Sequence, residues 1–440
     1  MKKIIIGIVF LIIIAGVGAP FVNGLVMENI VRESTNNLNN MYSDTGSGLS
    51  VEIINYDRNY ASTEIEWKIN LGNLKEVYGV DEIIFIDRAT HRFTGIVSET
   101  SLEKNIWFSN LVNDKLDGKN PVVITTEYSL SGQINSTIAL AAFSLPVEDE
   151  VIEIKSGKAL FTCEEDFKKF SSEISWAGFS VAEKMQVNGI SVASDLTRLS
   201  TYLWDGTFFL GIEKSQIAGN TGAFDLTNFK IDYSLDVDED ENRLSVVTSI
   251  GFDNMLAGSE KVDNAFVRIG SVNMDIQGFE EFVKLYTEMA NSVLQDVAAA
   301  QNDPEQAKTA LQEKLIQTRF QFIAAYEKLL KRGLEFQISD LHAQLPMGEV
   351  IGDVVLTLNK DMTLAQFIPL MNQPVLILDI LSLQSNFTLP AEMAGGNSML
   401  LAPIFPGMTT GLFVKDGETL THQAETTEGK LFLNGQEVRL

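Results

Sequence analysis

The sequence predicts an α+β fold, mainly β: an N-terminal transmembrane helix followed by a long curved antiparallel β-sheet body with an inserted helical hairpin. Three observations carry that expectation. A stretch of 24 residues near the start holds no charged side chain, apolar and polar residues alternate with period two over most of the remaining chain, and two segments of helical period lie between Gln277 and Arg332.

The first element is the uncharged stretch Ile4 to Met27, preceded by Met1-Lys2-Lys3. At roughly 1.5 Å per helical residue, about 20 apolar residues cross a hydrocarbon layer of roughly 30 Å, so the stretch is long enough, although Gly16, Gly18 and Pro20 weaken its far end. A cleaved signal peptide is the rival, because Val17-Gly18-Ala19 has the small residues that a signal peptidase accepts. Pro20 would then follow the cut, where proline is a poor substrate, and the apolar run continues through Phe21, Val22, Leu25 and Val26. The uncleaved anchor is therefore the expectation. Lys2 and Lys3 hold the N-terminus on the cytoplasmic side, which puts the body on the far face of a bacterial inner membrane, in the periplasm.

Residues 28–48 read as a polar linker or stalk ending at Gly46-Ser47-Gly48, and alternation starts directly after it. Ile65, Trp67, Ile69 and Leu71 face one way, Glu64, Glu66, Lys68 and Asn70 the other. The clearest strand is Phe229, Ile231, Tyr233, Leu235, Val237, interleaved with Lys230, Asp232, Ser234 and Asp236. A charged turn, Glu239-Asp240-Glu241-Asn242, returns it into Leu244, Val246, Thr248, Ile250 and Phe252, which predicts one long hairpin. Less regular alternation marks strands near 50–60, 92–108, 122–145, 151–162, 207–217, 262–276, 334–341, 350–358, 381–389 and 411–433. One polar face per strand means antiparallel sheet covered on one side. The β-rich regions are thus 49–276 and 334–440, two parts of one body.

Between them, 277–333 reads as a helical hairpin. Phe279, Phe282, Val283, Tyr286, Met289, Ala290, Val293, Leu294 and Val297 keep helical spacing in the first helix. Asp303-Pro304-Glu305-Gln306 suits the start of the second, and Lys331-Arg332-Gly333 its end. Phe282, Tyr286, Met289 and Val293, spaced four, three and four, form the candidate packing or interaction face. The sheet's apolar face is its expected partner, and a second copy of the chain is the alternative.

Composition narrows the function. With 33 basic against 59 acidic residues the formal charge is −26, a surface that repels phosphate backbones, so no nucleic-acid partner is expected. Cys163 is the only cysteine, which rules out an intrachain disulfide and a multi-cysteine metal site. His91, His342 and His422 are far apart in sequence and none belongs to a ligand-spaced cluster. Asp236, Asp238 and Asp240 imitate the opening of a calcium loop, but Glu241 stands where its turn glycine belongs and Val247 where its closing carboxylate belongs. Gly219-Asn220-Thr221-Gly222 lacks the lysine of a phosphate cradle. No catalytic, cofactor-binding or metal-ligating residue is expected, and the chain reads as non-enzymatic.

Ser194-Asp195-Leu196, Trp204-Asp205-Gly206, Gly219-Asn220-Thr221-Gly222, Met255-Leu256-Ala257 and Leu433-Asn434-Gly435 carry a further signal by their order along the chain. In these short turns, with the Met-Lys-Lys anchor and the long central helices, the chain resembles the YdgA/YihF family of Gram-negative inner-membrane proteins of unknown function. The resemblance implies an anchored, β-rich periplasmic protein, self-associating in some members, and brings no catalytic residue with it. The functional expectation is an envelope scaffold or interaction module that acts as a homo-oligomer. The alternative is a lipid-handling protein whose sheet offers an apolar groove to a lipid ligand.

Overall fold

A computed structural model describes residues 2–75, 79–147, 150–164, 166–182, 184–218, 223–299, 304–363, 366, 377–395 and 411–438, with side chains in the first helix from Ala19 onward. Its fold is mainly β, with a large antiparallel sheet and an N-terminal helix. The contacts group into two compact units: Met1–Ala182 with Ser191–Trp204 and Tyr286–Thr318, and Glu183–Ile190 with Asp205–Leu285 and Arg319–Leu440.

The first unit opens with helix α1 (Lys2–Thr45). Its strands are β1 (Ser50–Arg58), β2 (Ser62–Asn70), β3 (Glu82–Arg92), β4 (Gly95–Ser101), β5 (Val122–Tyr128), β6 (Gln133–Leu140), β7 (Phe143–Val147), β8 (Glu150–Ile154), β9 (Gly157–Glu164) and β10 (Lys169–Val181), with a short helix α2 (Ile106–Asn110) after β4. Antiparallel pairing runs β1–β2–β3–β4–β5–β6–β9–β10, and β8 joins β7 to the far end of β10.

Residues 28–45, read from the sequence as linker or stalk, continue α1. Asn23, Met27, Ile30 and Ser34 recur at spacings of four, three and four and are all buried, so one face of the helix belongs to the unit's core. Met27 and Ile30 pack with Ile65, Ala89, Ile96 and Tyr128. Gly24 is required at the closest approach, because a Cβ there would lie 2.5 Å from the His91 ring. Further along, Asn39 donates from Nδ2 to the Val51 carbonyl at 2.8 Å and accepts from the Val51 N–H at 2.7 Å, so its amide stands in for a strand partner at the start of β1. The side chains of Ile4–Gly18 lie outside the described residues. Among those described, no helix is long and apolar enough to cross a membrane.

Strand β11 (Met185–Arg198) is divided between the two units. The second unit continues with β12 (Trp204–Ile217), β13 (Phe224–Asp238), β14 (Arg243–Ala257), β15 (Glu260–Asp275), helices α3 (Ile276–Ala299) and α4 (Pro304–Leu329), β16 (Glu335–Leu345), β17 (Gly348–Leu358), β18 (Leu381–Pro390), β19 (Val414–Asp416), β20 (Thr419–Thr427), β21 (Lys430–Leu433) and β22 (Gln436–Glu437). Parts of α3 and α4 fall in the first unit. Pairing is antiparallel in the order β12 to β18, then β20, β21 and β22, with β19 on β20.

The hairpin expected at 229–252 is β13 with β14, and Ile231 lies opposite Ile250 and Leu235 opposite Val246. Its turn is closed by Asp238, whose Oδ1 accepts from the Glu241 N–H at 3.0 Å, and by Asn242 at φ 54°, a left-handed position that asparagine tolerates. Helix α3 begins where Asp275 accepts the Gly278 N–H at 2.8 Å. After α4, Gly333 takes φ 86° and its carbonyl accepts from Asn273. The proposed cap Asp303 lies outside the described residues.

Candidate functional site

In an antiparallel pair, residues directly opposite each other share a face. Following that rule across the second unit gives a row Phe208, Tyr233, Thr248, Ile269, Ile338, Val354. A neighbouring row is Leu235, Val246, Ser271, Phe336, Leu356, Leu383. The opposite face carries Lys230, Asp232 and Ser234, with Ser249 and Arg268 in line with Asp232. The sheet from β12 to β18 is therefore amphipathic, with an apolar strip about 29 Å across seven strands at the usual spacing.

At one end of that strip the side chains are buried. Leu235, Leu244, Met274, Leu334 and Leu358 are buried, as are Ala325 and Leu329 of α4, where the chain leaves β15 for α3 and returns from α4 to β16. On the same face Phe208 is 37% exposed, Ile269 46%, and Phe336, in the row of Leu235, 47%. Tyr233, half-buried in the same row, has its hydroxyl pKa raised by desolvation. Large exposed side chains on the apolar face of a sheet are the usual mark of a surface that meets an apolar partner.

The helical face singled out from the sequence is distributed differently. Phe282 packs on α4, its ring centroid 5.8 Å from Phe322 and 5.0 Å from Tyr326, and the helices are tied at the same level by an ion pair from Lys328 to Glu281. Tyr286 is exposed, and Met289 and Val293 are half-buried. In the second unit α4 also exposes Phe320, Ile323 and Tyr326.

The three histidines, the buried carboxylate of Asp87 and the thiol of Cys163 are held by neighbours or by burial, although His91 Nδ1 is buried without a hydrogen-bond partner. His91 shares a 2.8 Å hydrogen bond with Thr63, and burial lowers its pKa. His342 bonds the Asn264 carbonyl and Glu349. His422 lies in a cavity of about 1020 Å³ beside Asp353, Phe387 and Glu437. Its ring nitrogens are hydrogen-bonded, to Ser385 at 2.7 Å and to the Leu412 carbonyl at 2.9 Å, which fixes the ring in place. Asp87 is buried, and desolvation raises its pKa against hydrogen bonds donated by Thr100 and by Trp67 Nε1. The Cys163 thiol is pushed up to about 11 by burial, which removes the thiolate that reactivity needs. No group of three or more His, Cys, Asp or Glu side chains among the described residues could hold a metal ion. The segment Gly219-Asn220-Thr221-Gly222 lies outside the described residues.

Phe208, Ile269 and Phe336 were not singled out from the sequence. Their alternation is visible there, but the sheet register that sets them in line with Tyr233 and Leu235 is not. These features define a class: an antiparallel β protein whose N-terminal helix packs into one unit and whose second unit carries an amphipathic sheet with an exposed apolar face. The chain belongs to a family described as bacterial protein of unknown function, DUF945, whose model matches residues 1–440. No curated protein and no solved structure matches the chain.

Proposed function

We propose that this chain is a non-enzymatic, membrane-anchored protein of the bacterial envelope that holds lipid acyl chains on the apolar face of β12–β18. The reading takes Ile4 onward as the anchor in the inner membrane, with the body in the periplasm, as the likeness to the YdgA/YihF proteins also suggests. The observation that carries it is the set of exposed residues Phe208, Ile269 and Phe336 on a face that is mainly apolar and is interrupted by Thr248 and Ser271.

The test uses full-length chain reconstituted in vesicles that contain a phospholipid with a photoreactive acyl chain. Crosslinks are expected at residues of β12–β18, and Ile269→Asp combined with Phe336→Asp should remove them. Crosslinks confined to residues 1–27 would defeat the lipid reading.

A second reading, the envelope scaffold that self-associates, draws on a separate observation: α4 exposes Phe320, Ile323 and Tyr326. Such a stripe suits a second copy of the chain. Sedimentation of Phe320→Ala in detergent decides it, because a dimer seam would shift toward monomer on that change while an acyl-binding face would not.

A further inference from the structure

The N-terminal helix is fastened to the first unit unexpectedly close to the start of the chain. Phe21 stacks on Tyr60 at 6.4 Å and lies under the Arg58 guanidinium at 5.2 Å. Asn23 donates from Nδ2 to the Arg92 carbonyl at 2.6 Å, and Gly24 meets the His91 ring. The helix runs antiparallel to β1, since Glu28 pairs with Arg58 at one end while Asn39 bonds Val51 at the other. Residues before Phe21 therefore continue past the end of the sheet marked by the β1–β2 turn (59–61) and the β3–β4 turn (93–94). The β5–β6 turn (129–132) lies at that end too, because Tyr128 pairs with Ile96.

Length then becomes decisive. From Ile4 to Ala19 there are 16 residues, about 24 Å of helix, short of a hydrocarbon layer of roughly 30 Å. A span that reaches across must draw Pro20, Phe21 and Val22 to the interface, and Tyr60 comes with Phe21. The three turns suit that position. Each exposes one large apolar side chain, Tyr60 at 52%, Phe93 at 61% and Leu130 at 55%. Between them, residues 58–62, 91–95 and 129–133 contain Arg58 and Arg92 and no carboxylate, in a chain with 59 acidic residues. At the other end of the same strands, the β4–β5 connection exposes Ile106 and Trp107 but sets them among Glu103, Lys104, Asp114, Lys115 and Asp117. One strand pair beyond Leu130, the β9–β10 turn carries carboxylates, with Glu164 and Asp166 beside Lys168 and Lys169, and marks where the carboxylate-free rim stops. Aromatic rings and arginines with apolar neighbours are the side chains that settle at headgroup level.

We propose that this rim of the first unit docks on the surface of the bilayer that its own N-terminal helix crosses, with Tyr60, Phe93 and Leu130 in the headgroup region and the exposed Arg92 facing lipid phosphates. The inference rests on the membrane-anchored reading above and adds that the body sits flush on the membrane, without a free stalk.

The experiment places nitroxide labels at single cysteines in a Cys163→Ser background of the full chain, reconstituted in phosphatidylethanolamine–phosphatidylglycerol vesicles. Phe93→Cys and Leu130→Cys report the rim, Lys119→Cys the opposite end, and Leu11→Cys the helix. Collision with oxygen is expected to exceed collision with a water-soluble nickel chelate several-fold at 93, 130 and 11, and to fall below it at 119. Labels at 93 and 130 as water-exposed as that at 119, with 11 embedded, would overturn the docking and leave the anchor standing. A water-exposed label at 11 would overturn both.

Discussion

Met27→Ala tests whether the end of the apolar run, with the polar segment that follows it, is part of the core. Met27 has no exposed surface and touches a cluster that includes Ile30, Ile65, Ala89, Ile96 and Tyr128. The change deletes three heavy atoms beyond Cβ, worth about 2.4 kcal/mol at ~0.8 kcal/mol each. An unrelaxed cavity of ~50 Å³ adds about 1.2 kcal/mol at ~24 cal/mol per Å³, for a total of about 3–4 kcal/mol. That is a large share of the ~5–15 kcal/mol by which a domain is stable. The assay is urea unfolding of the full chain in detergent, with Trp107, Trp176 and Trp204 replaced by Phe, followed by fluorescence of Trp67, which stacks on Phe85 at 4.3 Å and packs against the same cluster. Leu25→Ala is the control on the same helix, since Leu25 is exposed, and should change stability by less than about 0.5 kcal/mol. Equal midpoints for Met27→Ala and wild type would mean that α1 is not docked, and would refute the assignment of residues 23–34 to the core.

On β13, Tyr233→Asp should cost about 2–3 kcal/mol, because a half-buried ring loses roughly 100 Å² of apolar contact and the new carboxylate retains partial access to water. Asp232→Asn, on the opposite exposed face, should stay within about 0.5 kcal/mol, and equal tolerance of the two in thermal unfolding would count against the face assignment. With its pKa pushed up to about 11 from 9.0, Cys163 is protonated throughout the neutral range and should react with iodoacetamide at pH 8 about 100-fold more slowly than the unfolded chain. The rate should climb as pH rises toward 11; a pH 8 rate equal to that in denaturant would show the thiol to be unshielded.

Much of the architecture is written in local periodicity. Lys230, Asp232, Asp236 and Asp238 alternate with Phe229, Ile231, Leu235 and Val237 because successive side chains on a strand point to opposite sides, and that pattern survives any change in the rest of the fold. The helical segments and the charged turn at 239–242 are legible for the same reason. Strands without clean alternation escaped. Ile83-Ile84-Phe85-Ile86 breaks it in β3 by apolar excess, whereas β10 and β11 carry serine, glycine and alanine where large residues would signal a face. The span expected at 92–108 proved to be β4 only to Ser101, followed by α2, because Asn105 turns back to bond Ile84.

By itself, then, the sequence determined the mainly β fold, the long β13–β14 hairpin and the uncharged N-terminal stretch, all properties of neighbouring residues. Only the tertiary structure decided that α1 runs on to Thr45 with Asn23, Met27, Ile30 and Ser34 inward, since an apolar run overlaps the start of that stripe and hides its period. It also decided that Phe208, Tyr233, Ile269 and Phe336 share an exposed face, because they come together through strand register between residues more than a hundred positions apart, and register is set by packing across the whole sheet.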